Sequence, residues 1–240
     1  MGIRNYLIEG VSGAGKTAVC TELQRRGYQA IHGDRELVYR GDPETGLPTA
    51  PETGTPTATW MSEHQIWDVE KVQAFVANQE EAATFFCGSS RNFAKFIDLF
   101  DGVFVLEVDL NTMNRRIDER VALDPTDFGG KPEERELIAR LYATKEDVPK
   151  NAMSIDATAP IARVVDDILS KCRKADQGAH WWIEPDGRIR KEIPRARGGC
   201  ESGACAKKWL STPPIVPVWK RWWPTGTAHK SMSGGRGSSF

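Results

Sequence analysis

The chain has 240 residues, 40% of them hydrophobic, and a formal net charge of −1. That length allows one α/β domain, or one domain with an extension, and the apolar fraction suffices for a core. No apolar run approaches the ~20 residues needed to span a bilayer, so a membrane partner is not expected. Three of the five cysteines are isolated (Cys20, Cys87, Cys172), and Cys200 with Cys205 lacks a second pair at zinc spacing. Neither a disulfide framework nor a metal site follows from them. Met-Gly-Ile-Arg-Asn leads straight into an apolar segment without a signal-peptide pattern, and a cytoplasmic location is expected.

In chain order, Tyr6-Leu7-Ile8 reads as a short buried strand. Residues 10–17, Gly-Val-Ser-Gly-Ala-Gly-Lys-Thr, match the phosphate-loop pattern G-x-x-x-x-G-K-[ST] at every fixed position. Ala18 to Arg26 then suits a helix that ends at Gly27. Strand, glycine loop and helix are the context that confirms this motif. The glycines Gly10, Gly13 and Gly15 let backbone N–H groups turn inward around a phosphate, and Ser12, Ala14 and Ala18 belong to the same cradle. The helix adds its positive dipole end. Lys16 reaches the terminal phosphates, and Thr17 offers its hydroxyl to Mg²⁺. The motif therefore predicts a nucleoside triphosphate site.

Beyond the loop, Tyr28 to Ile31 reads as a strand that ends in His32-Gly33-Asp34. Residues 43–50 and 51–58 are a tandem copy that differs only at Leu47 and Thr55; the prolines and glycines assign it to a loop. Residues 62–79 suit a helix with Ile66, Val69, Val72, Phe75 and Val76 on one face. Thr84 to Cys87 is a strand that breaks at Gly88-Ser89-Ser90-Arg91, and a helix is expected around 92–100. Gly102 to Val108 is an apolar run suited to a parallel sheet covered on both faces. Asn111 to Arg120 and Glu133 to Thr144 read as helices around a polar, glycine-containing segment, 121–132. Met153 to Asp156 is a last strand, and Pro160 to Cys172 a last helix. This alternation predicts a three-layer, doubly wound, five-stranded parallel sheet over 1–173. The phosphate loop, Asp34, Ser89 and Arg91 all fall at strand carboxyl ends, where ligands of such sheets bind.

Composition changes at Lys174. From there on, basic residues outnumber acidic ones twelve to five, and six of the eight tryptophans lie among Gly, Pro, Arg and Ser without periodicity. Residues 174–240 are expected to form a disordered tail. The remaining domain is acidic, which argues against nucleic acid as a substrate.

With these motifs in place the chain resembles the small phosphate-loop kinases: adenylate and other nucleoside-monophosphate kinases, with shikimate and gluconate kinases as relatives. Four segments carry the resemblance: GVSGAGKT at 10–17, CGSSRN at 87–92, VFVLEVDLNTMNRRIDER at 103–120, and SIDATAP at 154–160. They resemble, in turn, the phosphate loop, the turn after the third strand, the strand and helix leading into a mobile lid, and the segment edging the adenine. The acceptor segment with its tandem copy matches no member, and the lid is short, without a zinc cysteine quartet.

The resemblance implies ATP with Mg²⁺ and a small-molecule acceptor, a nucleoside or nucleoside monophosphate before other small hydroxyl compounds such as shikimate, gluconate or an antibiotic. A non-catalytic nucleotide switch is the alternative, against which no guanine-specificity motif is present. A monomer or small homo-oligomer is expected. Phosphoryl transfer calls for positioning and cations. On this reading Lys16 serves the donor phosphates, Arg120 closes onto them with the lid at 121–132, and Arg116 lies against the adenine. Arg91 and Arg140 clamp the acceptor. Asp34 takes the acceptor's proton or holds a metal-bound water, or merely caps the helix after it. Glu9 and Asp109 are lesser candidates for the metal's outer shell, and His32 and His64 are read as structural.

Overall fold

Tyr6, Leu7 and Ile8 are fully buried, and the strand they form is the middle of a parallel sheet. The computed structural model describes residues 4–52, 54–78, 80–177, 180–183 and 189–192. The chain divides into two units, Met1–Pro194 and Arg195–Phe240, of which the second lies outside the described residues.

Nine strands are described: β1 (Arg4–Glu9), β2 (Gln29–His32), β3 (Val38–Arg40), β4 (Gln65–Trp67), β5 (Ala83–Cys87), β6 (Gly102–Glu107), β7 (Met153–Asp156), β8 (His180–Ile183) and β9 (Ile189–Glu192). The helices are α1 (Lys16–Arg25), α2 (Gly33–Glu36), α3 (Ala58–Glu63), α4 (Val69–Ala77), α5 (Leu110–Leu123), α6 (Pro132–Thr144) and α7 (Ile161–Gln177). The main sheet has the order β2-β5-β1-β6-β7, all parallel. This is the expected five-stranded, doubly wound arrangement.

Both faces of the sheet are covered. Successive side chains of a strand point to opposite faces, and β1 divides its residues accordingly. Tyr6 and Ile8 join a core with Val19, Leu23, Ile117, Val165 and Ile168. Leu7 joins a second core with Ile31, Leu37, Trp67, Val72, Phe86 and Phe96. Among the described residues, no helix is long and apolar enough to cross a membrane. Cys20, Cys87 and Cys172 are free and buried.

Two expectations are corrected. The helix expected over 62–79 is broken: α3 ends at Glu63, β4 pairs antiparallel with β3, and α4 starts only at Val69. Asp68 caps α4 by accepting from Lys71 N (3.1 Å), which ends the strand. The helix expected around 92–100 is two short 3₁₀ turns, Phe93–Lys95 and Ile97–Leu99. Asn92, a natural helix cap, is instead held on the backbone of Trp67, donating to Trp67 O (2.9 Å) and accepting from Trp67 N (3.0 Å). α7 runs on past residue 173 to Gln177, with no breaker before Gly178 in the sequence. Within the expected tail, β8 and β9 pair antiparallel on either side of Glu-Pro-Asp-Gly-Arg, a turn-forming sequence. The rest of that tail, from 193 on, lies outside the described residues.

Trp67 anchors the β3–β4 ribbon to the sheet. Its ring stacks on Phe96 at 5.6 Å with an interplanar angle of 3°. A Cβ at Gly33 would lie 2.1 Å from Trp67 Cζ2, and one at Gly88 2.7 Å from the same atom. The two glycines thus make room for the ring beside β2 and β5. We predict that Trp67→Ala lowers stability by about 3–5 kcal/mol, the usual cost of truncating a buried large aromatic. Urea unfolding checks this, and a loss below about 1 kcal/mol would contradict the anchoring role.

Candidate active site

The site starts from glycines in the left-handed region. Gly13 has φ 81° and Gly15 φ 105°, conformations that disfavour any side chain. Gly10 has φ 152°, and a Cβ there would stand 3.0 Å from Leu106 O. Gly15 caps α1 without a side-chain hydrogen bond. The first-turn N–H groups of a helix have no intrahelical acceptor. Here they belong to Lys16, Thr17 and Ala18, which line a cavity of about 1160 Å³ together with Ser12, Gly13, Ala14 and Gly15. Lys16 Nζ donates to the carbonyls of Gly10 (2.5 Å) and Val11 (3.2 Å). The loop, its helix dipole and one cation therefore face the same space, as an oxyanion of phosphate requires.

The opposite wall is built by α2, the β3–β4 ribbon, α3 and the turn after β5. Asp34 is exposed on α2 and does not cap that helix. Its Oδ1 accepts from Ser89 N (2.9 Å) and Gln65 Nε2 (3.4 Å). Gln65 also accepts from Arg40 Nη1 (3.2 Å) and, through its carbonyl, from Arg91 N (2.8 Å). The Arg91 guanidinium donates to Ser62 O (3.1 Å) and Ser62 Oγ (2.7 Å). Ser90 and Asn92, buried on either side of Arg91, bind Trp67 N and turn the arginine toward the cavity.

The two candidate arginines of α5 are placed differently. Arg116 donates to Ala14 O (3.1 Å) and Ala157 O (2.8 Å), so it staples the phosphate loop to the segment after β7. Burial lowers its pKa from the ordinary guanidinium value, with Arg115 adding to the effect. Arg120 lies 3.2 Å from Asp127 Oδ2, donates to Phe128 O and reaches Ser12 Oγ at 3.5 Å. It thus spans from the loop to the segment expected as a lid. That segment is held by polar bonds: Glu134 Oε2 accepts from Gly129 N (2.7 Å), and Arg135 donates to Gly129 O and Asp118 Oδ1.

Arg140 is not brought to the cavity. It is exposed on α6 and pairs with Glu146 at 3.6 Å, because the face of the helix that packs inward carries Leu137, Ile138 and Leu141. Asp109 is used as the cap of α5, accepting from Thr112 N (2.9 Å), and that bond lowers its pKa. His64 stacks on Trp60 with ring centroids 4.3 Å apart, consistent with a structural part. Sequence reasoning missed Arg40, Gln65 and Ser62. It also gave the tandem copy, read as a loop, no chemistry, yet Thr55, Pro56 and Ala58 line the cavity. The one signal available was Thr57, whose hydroxyl caps α3 (Trp60 N, 3.1 Å).

Glu9 ends β1 directly before the loop. It is 1% exposed, and neither carboxylate oxygen has a hydrogen-bond partner among the described residues. The neighbouring Ser89 Oγ donates to Gly10 O (3.3 Å) instead. Burial pushes the Glu9 pKa up to about 8, against the opposing pull of Lys16.

No protein-family model matches the chain, and no curated protein matches it. Among solved structures, a gluconokinase from Sinorhizobium meliloti 1021 is similar at 18% identity and a TM-score of 0.45, over 72% of this chain and 94% of that one. A shikimate kinase from Acinetobacter baumannii in complex with shikimate is similar at 18% identity and a TM-score of 0.44, over 72% of this chain and 94% of that one. A deoxyadenosine kinase from M. mycoides with bound dATP is similar at 17% identity and a TM-score of 0.39, over 71% of this chain and 99% of that one. Likeness at this level carries no argument about activity, so the functional reading rests on the residues of the site.

The buried acid generates a stability prediction. The folded chain keeps a proton on Glu9 up to about pH 8, whereas the unfolded chain releases it near the ordinary value of 4.5. Between those values the folded state binds more protons, so raising the pH destabilises it. For one bound proton, each tenfold fall in proton concentration is worth roughly 1.4 kcal/mol, which makes the decline from about pH 5 to 8 several kcal/mol. Glu9→Gln should flatten it. Urea unfolding at pH 5, 6, 7 and 8 is the check, and equal slopes in both proteins would contradict the assignment.

Proposed function

We propose that the chain is an ATP-dependent phosphotransferase that moves the γ-phosphoryl group to a small acceptor. The observation that carries this reading is the shared cavity: a complete phosphate loop on one wall, and Asp34 with Arg91 on the other. A site that only held nucleotide would need the first wall alone.

The chemistry follows from the two walls. The loop N–H groups and Lys16 hold the β- and γ-phosphates and stabilise charge on the peripheral oxygens in the transition state. A phosphate oxygen competes well for Lys16, since hydrogen bonds between charged partners are stronger than those to a carbonyl. Thr17, exposed at the start of α1 on the cavity wall, is the residue that would hold Mg²⁺, which supplies further neutralisation of phosphate charge. Both hydrogen bonds to Asp34 fall on Oδ1, leaving Oδ2 for the acceptor. Asp34 takes the proton of the acceptor hydroxyl as its oxygen bonds to the γ-phosphorus. The bond from that phosphorus to the β–γ bridging oxygen breaks, and ADP leaves with the electron pair. Arg120 lies between loop and lid, where it meets the transferring group once the lid closes.

Lys16→Ala should abolish transfer from labelled ATP while leaving the unfolding midpoint near that of the wild type. The expected loss is at least a hundredfold, in line with about 3 kcal/mol for one electrostatic contact to a transition state. Near-normal turnover would refute the role of the loop. Arg120→Ala should depress transfer far more than ATP binding, because its contact belongs to the closed state. Hydrogen exchange over 121–132, with and without a bisubstrate analogue, tests the closure directly; equal protection in both would remove the lid from the mechanism.

A further inference from the structure

Phosphoryl transfer needs an acceptor oxygen with a free lone pair, and the cavity wall itself carries hydroxyl groups. Most of them are committed. Ser12 Oγ accepts from Arg120 (3.5 Å) and Ser62 Oγ from Arg91 (2.7 Å), bonds that draw electron density from the oxygen. Ser89 Oγ donates to Gly10 O (3.3 Å), Thr126 Oγ1 to Asp124 Oδ1 (2.7 Å), and Ser90 Oγ to Asn92 Oδ1. Thr17 stands where Mg²⁺ would be held. Thr55 is left. It lines the cavity, it is exposed, and its hydroxyl makes no hydrogen bond to another described residue.

Its place in the chain adds a second argument. Thr55 and Leu47 mark the position at which the two tandem copies differ. The first copy is tied down: Thr45 Oγ1 donates to Asp42 Oδ1 (2.9 Å), and the Tyr39 hydroxyl donates to Gly46 O (2.6 Å). The second is tied where Thr57 caps α3. Between Thr49, whose N–H donates to Arg40 O (3.1 Å), and that cap, no described residue is hydrogen-bonded to another. Pro56 disfavours a helical backbone at Thr55, which keeps Thr55 out of α3. The copy that reaches the cavity therefore presents a hydroxyl on an untied segment, where its counterpart has an apolar side chain.

We infer that Thr55 is a phosphoryl acceptor of the chain's own site, modified in cis by ATP bound at the phosphate loop. This rests on the phosphotransferase reading and adds an acceptor of a different kind, a side chain of the protein itself. Thr55 Oγ1 bonds to the γ-phosphorus while its proton passes to Asp34 Oδ2. The bond from that phosphorus to the β–γ bridging oxygen breaks, and ADP leaves with the electron pair. A tethered hydroxyl has an effective concentration on the order of millimolar, whatever the protein concentration. The step is therefore first order in ATP-bound chain and stops at one group per chain.

The test is incubation of the full chain with γ-labelled ATP and Mg²⁺, without a small acceptor. Incorporation should approach one phosphoryl group per chain, at a rate per chain that is unchanged by tenfold dilution of the protein. Fragmentation mass spectrometry should place the phosphate on Thr55. Thr55→Val, at an exposed residue, should cut incorporation at least tenfold while affinity for a non-hydrolysable ATP analogue stays as in the wild type. Thr55→Ser should retain incorporation, and Lys16→Ala should abolish it. Phosphate on another residue, undiminished incorporation in Thr55→Val or Lys16→Ala, or a rate per chain that falls on dilution overturns the proposal. Absence of label from a wild type that phosphorylates a small acceptor overturns this proposal alone. Absence of both activities overturns the phosphotransferase reading with it.

Discussion

Two neighbouring parallel strands that send their chains in opposite directions create the crevice on which everything functional depends. From β1 the chain enters the phosphate loop and α1 and crosses to β2 at the sheet edge. From β5, beside β1, it turns at 88–92 and crosses β1 to reach β6. The space between their carboxyl ends, where the two chains part, is where such sheets bind ligands. The loop that occupies this space is shaped from outside. A Cβ at Gly10 would meet Leu106 of β6, and one at Gly13 would lie 3.0 Å from Met113 Cγ of α5. The glycine pattern is thus a packing requirement set by β6 and α5 as much as a phosphate requirement.

What was legible in the sequence follows from how each element is stabilised. β1 and β6 announce themselves because both faces are buried, and an uninterrupted apolar run is what that burial demands. The loop is legible because its backbone needs glycine at fixed spacing. The β3–β4 ribbon was not, because three-residue strands carry no measurable period. Ile66 and Trp67 are both buried although adjacent, so they fit a helical stripe as well as a strand. The 3₁₀ turns after β5 were hidden for another reason: Asn92 spends its side chain on Trp67, a partner 25 positions away in sequence. Arg91 could be anticipated from its turn. Arg40 and Gln65 could not, since only the ribbon brings them to that turn.

The domain preceding the tail is acidic by composition, whereas the lining of its cavity carries seven Lys and Arg side chains against six Asp and Glu. Short-range bonds hold many of the acids. Acidic side chains on α1, α5 and α6 pair with neighbours, as Glu22 does with Arg25 and Arg26, and Glu119 with Arg115. Pairs as exposed as Glu119 with Arg115 contribute little stability. Glu9 is the exception, an acid buried behind the loop with no bonded partner. It remains compatible with the fold by holding its proton, so the charge of Lys16 is not neutralised from behind.

Gln65 is where these requirements meet. Its amide is the one neutral side-chain type that offers an acceptor and a donor from the same carbon. Here the acceptor takes Arg40 and the donor takes Asp34. A glutamate at this position would hold Arg40 but repel Asp34 and cancel the positive charge of the wall. A lysine would hold Asp34 and repel Arg40. Left without an intermediary, Arg40 and Asp34 could pair with each other. A neutral amide between them keeps the two charges apart on the cavity wall.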